Sequence, residues 1–320
     1  MSFFQRLRDK FSRGKQRGVA PDDGPTGIAL AHAGAGPNLW VTYFMRGNAF
    51  KDEGDYDRAI ENYDQALKLK PDSAPVFNNR GYAYESKRQY DRAIADYTQA
   101  ITLDPTTALA FINRGHIHFG RGEYDRAIED YSEAIKLDPN DFHAFRIRGI
   151  LYRIKKQNDR AIEDFDQAIK LNPDEADAFR DRGFAHANKG DHDRTIADFS
   201  EAIRIDPNDL VAYHNRGVAH ANKGEHERAI EDYSRAIALD PELTSAFKDR
   251  GDSYRAQGQY DRAIEDYGEA IRIDPEYAEA FEGRSVAYRL KGDHDRATAD
   301  SNEAKRMNST PPSWLREDDK

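Results

Sequence analysis

The chain of 320 residues contains no cysteine. Disulfide bonds, thiolate metal sites and cysteine nucleophiles are therefore excluded together, and the composition is compatible with a reducing compartment. No stretch approaches the roughly 18 consecutive apolar residues of a membrane span. The segment Met1–Lys15 also lacks the apolar core and cleavage site of a secretory signal peptide. We therefore expect a soluble, cytoplasmic protein.

The chain has fewer basic than acidic residues. It contains 48 lysines and arginines and 58 aspartates and glutamates, which gives a net charge of -10. Such a charge opposes non-specific binding to a phosphate backbone, so we expect no nucleic-acid partner. Charged residues make up 33% of the chain and hydrophobic residues 38%. This balance is polar for one compact globule and favours an elongated body with much surface.

Catalytic motifs are also lacking. The sequence contains no glycine-rich phosphate loop, no His-Glu-x-x-His and no nucleophile elbow. We predict that the protein is not an enzyme and has no catalytic residues, no cofactor and no metal site.

What the chain does contain is a repeat of 34 residues. Three sets of residues recur with this period: an Arg-Gly pair that begins at Arg46-Gly47, an Asp-Arg-Ala-Ile segment that begins at Asp57, and a proline that begins at Pro71. A fixed period of this length determines the architecture, because each unit must bury its apolar face against its neighbours.

One unit, Ala108 to Asn140, shows the local structure. Apolar and small residues from Leu109 to Phe119 fall at helical spacing, Gly122-Glu123 interrupts them, and a second helical pattern runs from Tyr124 to Leu137. The residue before Pro139 disfavours the helical region, so the second helix ends there. Each unit is therefore predicted to be a helix-turn-helix.

These units resemble the tetratricopeptide repeat (TPR). The resemblance rests on the spacing of six residues in the unit described, Phe111, Gly115, Ala127, Tyr131, Ala134 and Pro139. It implies an all-α fold, a right-handed superhelix or α-solenoid of about eight stacked hairpins, with the first helix of each pair lining the concave side. The domain boundaries are then a basic amphipathic segment (1–17), a Gly/Ala/Pro-rich linker (18–39), eight repeats (40–73, 74–107, 108–141, 142–175, 176–209, 210–243, 244–277, 278–310) and a polar tail (311–320).

Most recurrent residues have a structural explanation. Gly115, Ala127 and Ala134 allow close helix crossing, and an arginine of each first helix stands 16 residues before an aspartate of the second, as in Arg80 and Asp96. A buried guanidinium is costly unless paired, so we predict Arg–Asp pairs across each hairpin.

His186 and His220 share the repeat position of Tyr84 and Tyr254, which predicts that they replace aromatic residues in packing. In repeat 8, polar residues take the apolar positions, as expected of a terminal cap.

A partner would bind the concave face. The resemblance implies that the second, fifth, sixth, ninth, twelfth and thirteenth positions of each unit line this face, and their variation between repeats predicts an apolar strip flanked by arginines. The candidate groove residues are Asn79, Tyr82, Leu109, Ile112, Asn113, His116, Phe119, Arg146, Ile147, Ile150, Arg153, Ile154, Arg180, Phe184 and Asn215.

Asn79, Asn113 and Asn215 occupy the position where related proteins use asparagine to bind an extended peptide backbone. Ile147 and Asp181 interrupt the series, so an extended peptide and an amphipathic helix are both open as ligands. The residues by which chaperone-binding relatives hold a C-terminal carboxylate are not assembled in any three successive repeats. The alternative is that the strip is inner-face packing in a superhelix wound too tightly for a ligand.

The N-terminal arm places Phe3, Phe4, Leu7 and Phe11 along one helical face with basic residues around it. Residues 1–13 are therefore candidates for peripheral contact with an anionic membrane, for docking to a partner, or for an import presequence; a disordered terminus without a role is the alternative.

We predict a protein–protein interaction scaffold that binds a peptide or helix of a partner in its concave groove. The alternative is a targeting or regulatory subunit of an enzyme or membrane-associated assembly, anchored through the N-terminal arm. The sequence does not specify the oligomeric state.

Overall fold

A computed structural model describes residues 38–309, and this part of the chain contains 16 α-helices and no strand. The predicted amphipathic segment (1–17), nearly all of the linker (18–39) and the tail (311–320) lie outside the described residues. The helices are α1 (Leu39–Asp52), α2 (Tyr56–Leu69), α3 (Ala74–Ser86), α4 (Tyr90–Leu103), α5 (Ala108–Gly120), α6 (Tyr124–Leu137), α7 (Phe142–Ile154), α8 (Asn158–Leu171), α9 (Ala176–Asn188), α10 (His192–Ile205), α11 (Leu210–Asn222), α12 (His226–Leu239), α13 (Thr244–Ala256), α14 (Tyr260–Ile273), α15 (Ala278–Leu290) and α16 (His294–Ser309).

The chain forms two compact units that meet in sequence between Lys155 and Lys156. In the described part, the first unit holds α1 to α7 and the second holds α8 to α16. Within each unit, consecutive helices pair as hairpins and each hairpin packs on the next. The all-α fold of stacked helical hairpins predicted from the 34-residue period is therefore confirmed.

The second helix of each repeat is amphipathic for a simple reason of spacing. In α6, Ala127, Tyr131 and Ala134 follow the helical period and are buried, whereas the intervening charged residues are mostly exposed. The last helical residue is Leu137, two residues before Pro139, which cannot continue a helix. The prediction of helix-turn-helix units thus holds to within a residue or two at this boundary.

Glycine is required where the two helices of a hairpin cross. A Cβ atom built on Gly81 of α3 would lie 2.8 Å from the Cε1 atom of Tyr97, on α4. On Gly47 of α1 the same atom would lie 2.5 Å from the Cε1 atom of Tyr63. Both tyrosine rings are fully buried, so neither can move into solvent. The recurrent glycine therefore sets the distance between helices.

The Arg–Asp pairs predicted from the 16-residue spacing form in every hairpin from the second onward that lies wholly within one unit. The pairs are Arg80–Asp96, Arg114–Asp130, Arg182–Asp198, Arg216–Asp232, Arg250–Asp266 and Arg284–Asp300. The third guanidinium nitrogen reaches back to the preceding repeat. The Nη1 atom of Arg80 donates to Asp64 at 2.6 Å, and that of Arg114 donates to the Thr98 hydroxyl at 3.0 Å. Arg182, Arg216 and Arg250 make the same kind of bond, and each of these five arginines thereby joins its own hairpin to the preceding repeat.

Repeat 8 has the polar surface expected of a cap. Where repeat 7 has Ile264 and Ile271, repeat 8 has the exposed Thr298 and Lys305. Small residues still pack inward, because Ala297 and Ala304 are buried. Between residues 38 and 309, no helix combines the length and apolar character needed to cross a membrane.

Candidate functional site

The predicted groove residues all lie on first helices of repeats, but they belong to two units. Asn79 and Tyr82 are on α3, the set from Leu109 to Phe119 is on α5, and the set from Arg146 to Ile154 is on α7, all in the first unit. Arg180 and Phe184 on α9 and Asn215 on α11 belong to the second. The predicted residues therefore form two sets, one in each unit.

The apolar members of the first set differ in exposure. Ile147, Ile150 and Phe119 are buried, with 1%, 4% and 7% of their surface exposed. Leu109 and Ile154 are 43% and 40% exposed. Ile112 and Tyr82 are half-buried. Only part of the predicted strip is thus accessible to a ligand, and its buried members serve packing.

The asparagines of the first unit form a hydrogen-bonded chain across three repeats. Asn113 donates from Nδ2 to Asn78 Oδ1 at 3.2 Å, and Asn78 donates in the same way to Asn79 at 3.2 Å. Asn79 then donates to Asn48 Oδ1 at 2.8 Å, and the same oxygen accepts from the Tyr63 hydroxyl at 2.8 Å. We call Asn48, Asn78, Asn79 and Asn113 the amide ladder.

Two members of the amide ladder, Asn79 and Asn113, were predicted from sequence, and two were not. Asn48 lies on α1 at the ninth position of its repeat, and Asn78 lies on α3 at the fifth. Both positions belong to the set predicted to line the concave face. An asparagine at a predicted concave-face position was therefore the sequence signal that could have identified Asn48 and Asn78.

His116 lies beside the amide ladder on α5, half-buried, three residues after Asn113. Its ring packs edge-on against Tyr131 with centroids 5.8 Å apart. Burial lowers the pKa of His116 to about 4, so the imidazole is neutral at pH 7. The exposed part of this side chain is therefore a neutral aromatic surface.

The arginines predicted to flank the strip are less accessible than expected. Arg146 is 5% exposed and Arg153 is half-buried. A guanidinium this deeply placed contributes to the body of the helix stack rather than to a solvent-facing rim.

In the second unit, the predicted residues are occupied by contacts of their own. Arg180 binds Asp177 at 2.6 Å and Asp209 at 2.7 Å. Burial opposes the charge of Arg180, but the two carboxylates outweigh it and raise its pKa. Phe184 packs on Phe199 with centroids 5.3 Å apart.

Asn215 has no part in an amide ladder, because its Nδ2 donates to the Val211 carbonyl of its own helix at 2.7 Å. The structure therefore brings Asn79 and Asn113 together and leaves Asn215 in a different environment.

The same positions in repeats 6 and 7 form a charged network that sequence reasoning did not single out. His214 contacts Asp249 at 2.8 Å, Lys248 binds both Asp249 and Asp252, and Asp252 accepts from the Tyr267 hydroxyl at 2.7 Å. Burial opposes the charge of Lys248, but the two aspartates raise its pKa, so its amine stays protonated and cannot act as a nucleophile at neutral pH. The first unit thus has an amide-lined face and the second a charged one.

The histidines at the eleventh repeat position are packing residues, as predicted for His186 and His220. Both are buried, at 5% and 7% exposed. The Nδ1 atom of His220 contacts Glu225 at 2.7 Å. Over residues 38–309, no cluster of three or more histidine, aspartate or glutamate side chains could hold a metal ion.

Comparisons with known structures return helical-repeat proteins. MamA is 25% identical, with 54% of this chain and 94% of that chain covered and a TM-score of 0.50. YrrB is 24% identical, with coverage of 57% and 95% and a TM-score of 0.52. The C-terminal part of a repeat protein from Cytophaga hutchinsonii is 20% identical, with coverage of 75% and 98% and a TM-score of 0.65. A comparison with curated proteins gives no match.

Family models match along most of the repeat region. One model, described as TPR repeat, matches residues 47–87, 149–190 and 251–297. Two models described as tetratricopeptide repeat match 74–107, 108–141 and 211–243 in one case and 179–209 in the other. Together with the stacked hairpins and their recurrent glycines, these matches show that the chain belongs to the tetratricopeptide repeat family.

Proposed function

We propose that this protein is an interaction scaffold whose first unit binds an extended segment of a partner protein along the amide ladder. The observation that supports the proposal is the hydrogen-bonded chain from Asn113 to Asn48, which spans three repeats on α1, α3 and α5. The repeats themselves support protein binding in general, and the amide ladder narrows the kind of ligand.

The chemistry of an amide suits an extended backbone. An asparagine side chain offers two donor hydrogens and an acceptor oxygen with two lone pairs. Asn79 and Asn113 use only part of this capacity within the ladder, whereas Asn48 Oδ1 already accepts two hydrogen bonds and Asn78 is buried. An extended peptide presents unpaired N–H and C=O groups along its length, whereas a helix has satisfied most of its own. The ladder therefore favours an extended segment over an amphipathic helix.

Apolar side chains stand one helical turn from the ladder. Leu109 precedes Asn113 by four residues on α5 and is 43% exposed, and Met45 precedes Asn48 by three residues on α1 and is 54% exposed. Residues three or four apart share a helix face, so these side chains can contact the side chains of a bound segment. Backbone binding by the ladder and apolar contacts beside it together define the ligand class.

Pre-organisation adds to the case. The ladder amides are already held by one another, so a ligand does not bear the full entropic cost of ordering them. YrrB is described as a TPR protein with an unusual peptide-binding site. Its likeness to this chain concerns the fold, and the ligand proposed here rests on the amide ladder.

The test begins with selection of extended peptides from a random library on the full-length protein, followed by calorimetric titration of the best binder. We expect Asn113→Ala to weaken that peptide at least about tenfold, since it removes contacts in a partly desolvated site. Asn215→Ala is the matched control, because Asn215 has the same repeat position but bonds to its own helix. Circular dichroism of each variant checks that the fold is intact.

Two results would count against the proposal. Equal affinities of wild type and Asn113→Ala would remove the ladder from the site. Selection of helix-forming peptides only would transfer the proposal to helix docking. Ile150 is a poor site for such a test, because it is 4% exposed and its replacement would change packing as well.

A second candidate function is attachment to a membrane or to an enzyme assembly through residues 1–13. It rests on the basic amphipathic pattern of that segment, which lies outside the described residues. Flotation of the full chain and of a chain that begins at residue 40 with anionic liposomes tests it, and equal flotation of the two proteins would contradict it.

A further inference from the structure

The turn between the two helices of a repeat usually passes through glycine. Six repeats place a glycine there with a positive φ, between +74° and +85°. Repeats 2 and 4 place Arg88 and Lys156 at this position, both with φ of 60°. Residues with a side chain adopt this region at a steric cost, so the backbone gains nothing from either replacement.

A second change accompanies the first. In five of the six glycine repeats the next residue is acidic, and it binds the arginine three residues further on, as Glu123 does with Arg126 at 3.0 Å. In repeats 2 and 4 the acidic residue is replaced by Gln89 and Gln157. Both changes make the turn more positive, and they occur together in the same two repeats.

In repeat 2 these residues line a surface cavity of about 490 Å³. Its lining contains three arginines, Arg88, Arg92 and Arg121, against one acidic residue, Asp91. Arg121 binds Asp91 at 2.6 Å. Arg92 donates to the neutral amide oxygen of Gln89 at 3.1 Å and lies over the Tyr84 ring, and neither contact neutralises its charge. For the exposed Arg88, the structure of residues 38–309 shows no side-chain partner. The cavity therefore has an excess of positive charge.

The same turn in repeat 8 has the same kind of cavity with a different charge. It measures about 580 Å³, and its lining sets Lys291 and Arg296 against Asp293 and Asp295. A cavity at the hairpin turn therefore does not by itself distinguish repeat 2. What distinguishes repeat 2 is its three guanidinium groups.

We propose that the cavity of repeat 2 binds a phosphorylated side chain in an acidic segment of a partner protein. A guanidinium presents paired N–H donors that match phosphate oxygens, and a dianion compensates the excess of two positive charges better than one carboxylate does. The exposed ring of Tyr90 gives the residues that flank the phosphate an apolar surface. Because the whole protein has a net charge of -10, an acidic ligand is attracted here by the local cavity and not by the overall field.

The test uses the full chain with Lys156→Gly, which leaves repeat 2 as the only described turn of this type. A peptide with one phosphoserine among aspartates and glutamates is titrated against its unphosphorylated form, with the backbone amides from Arg88 to Arg92 followed by NMR. We expect the phosphorylated peptide to bind at least about fivefold more tightly and the difference to shrink at high salt.

Substitutions then locate the site. Arg88→Gly installs the residue that six repeats use, so we expect an unchanged or higher melting temperature together with loss of the preference for phosphoserine. Arg92→Gln should weaken binding as well. Arg126→Gln is the matched control, because it removes the same charge at the same position of repeat 3, and we expect it to leave binding unchanged.

Three outcomes would overturn the proposal. They are equal binding of the two peptides, an unaltered preference in Arg88→Gly, and inorganic phosphate that perturbs the same amides as tightly as the peptide, which would indicate a site for a free anion. The proposal is independent of the amide ladder, since Asn113→Ala should retain binding of the phosphopeptide.

Discussion

Arg80 binds Asp96 through two hydrogen bonds, from Nε to Oδ2 at 2.8 Å and from Nη2 to Oδ1 at 2.7 Å. Side-chain exposure is 18% for the arginine and 8% for the aspartate. Burial raises the pKa of Asp96 even against the opposing effect of Arg80. Burial of either charged group without its partner would cost free energy. The pair removes this cost, but as a whole it adds little net stability to the fold.

The first prediction concerns this pair. Arg80→Met and Asp96→Ala should each lower the free energy of unfolding by about 2–4 kcal/mol, because each removes one partner of the buried bidentate pair and leaves the other without its main contact. The double variant should lose less than the sum, with a coupling energy of at least about 1.5 kcal/mol in urea unfolding. Lys136→Ala is the control, since its exposed pair with Glu133 should contribute little to stability. Zero coupling would contradict a bonded pair in solution.

The second prediction compares the destabilisation caused by alanine at two of the glycines where helices cross. A Cβ on Gly47 would lie 2.5 Å from Tyr63, whereas on Gly115 the nearest atom would be Asp130 Cβ at 3.2 Å. Gly47→Ala should therefore destabilise by about 1–3 kcal/mol through overpacking. Gly115→Ala should cost less, because its contact is looser and the helix-propensity gain of up to about 1 kcal/mol, which both variants share, offsets more of it. Thermal denaturation should give Gly47→Ala the lower melting temperature of the two variants. The opposite order would show that the Tyr63 ring moves aside at little cost.

The third prediction concerns a buried hydroxyl. Tyr131 is 1% exposed, and within residues 38–309 its hydroxyl has no hydrogen-bond partner. Tyr131→Phe should therefore leave stability unchanged or raise it by about 1 kcal/mol, since an unsatisfied polar group is removed. Phenylalanine already occupies this repeat position at Phe165 and Phe199.

The matched variant is Tyr97→Phe. The Tyr97 hydroxyl contacts Glu85 at 2.8 Å, so its removal should cost about 1–2 kcal/mol in chemical unfolding. A loss of equal size in Tyr131→Phe would indicate a partner for that hydroxyl in solution, such as an ordered water.

The fourth prediction is a pH dependence from His116. Its folded-state pKa of about 4 lies below the ordinary value of 6.5, so the unfolded chain binds the proton more readily. The stability that comes from the neutral ring is complete above pH 6.5 and is lost as the pH falls towards 4. The loss should reach up to about 3 kcal/mol. His116→Phe should flatten this part of the profile in urea unfolding at successive pH values, and an unchanged slope would show that the ring is solvated.

Much of the fold could be predicted from sequence, because its determinants recur. The spacing of Arg80 and Asp96 predicted a contact across the hairpin, since each repeat places its two helices in the same relation. The glycine at Gly81 and the proline at Pro105 likewise have the same local cause in each of repeats 1 to 7. A pattern present in all units can be explained from any one of them.

The candidate site was predicted only in part. Asn79 and Asn113 were identified, whereas Asn48 and Asn78 completed the ladder in the structure. Ile150 was assigned to the groove and is buried. Asn48 and Asn78 stand at the ninth and fifth positions of their repeats, whereas the prediction considered asparagine at the sixth position only. The burial of Ile150 has a geometric cause. The rotation of a helix about its axis decides whether a side chain faces a neighbouring helix or the open face, and spacing alone does not specify that rotation to within one residue.

The sequence by itself determined the all-α class, the number and length of the repeats and the pairs that recur in each, because local helix preference and a strict period of apolar residues leave few alternatives. Only the tertiary structure decided which asparagines join across repeats, which apolar residues remain exposed and where Arg88 and Arg121 meet at one cavity. Those relations connect residues of different repeats, about 30 or more positions apart, and depend on the stacking of whole hairpins.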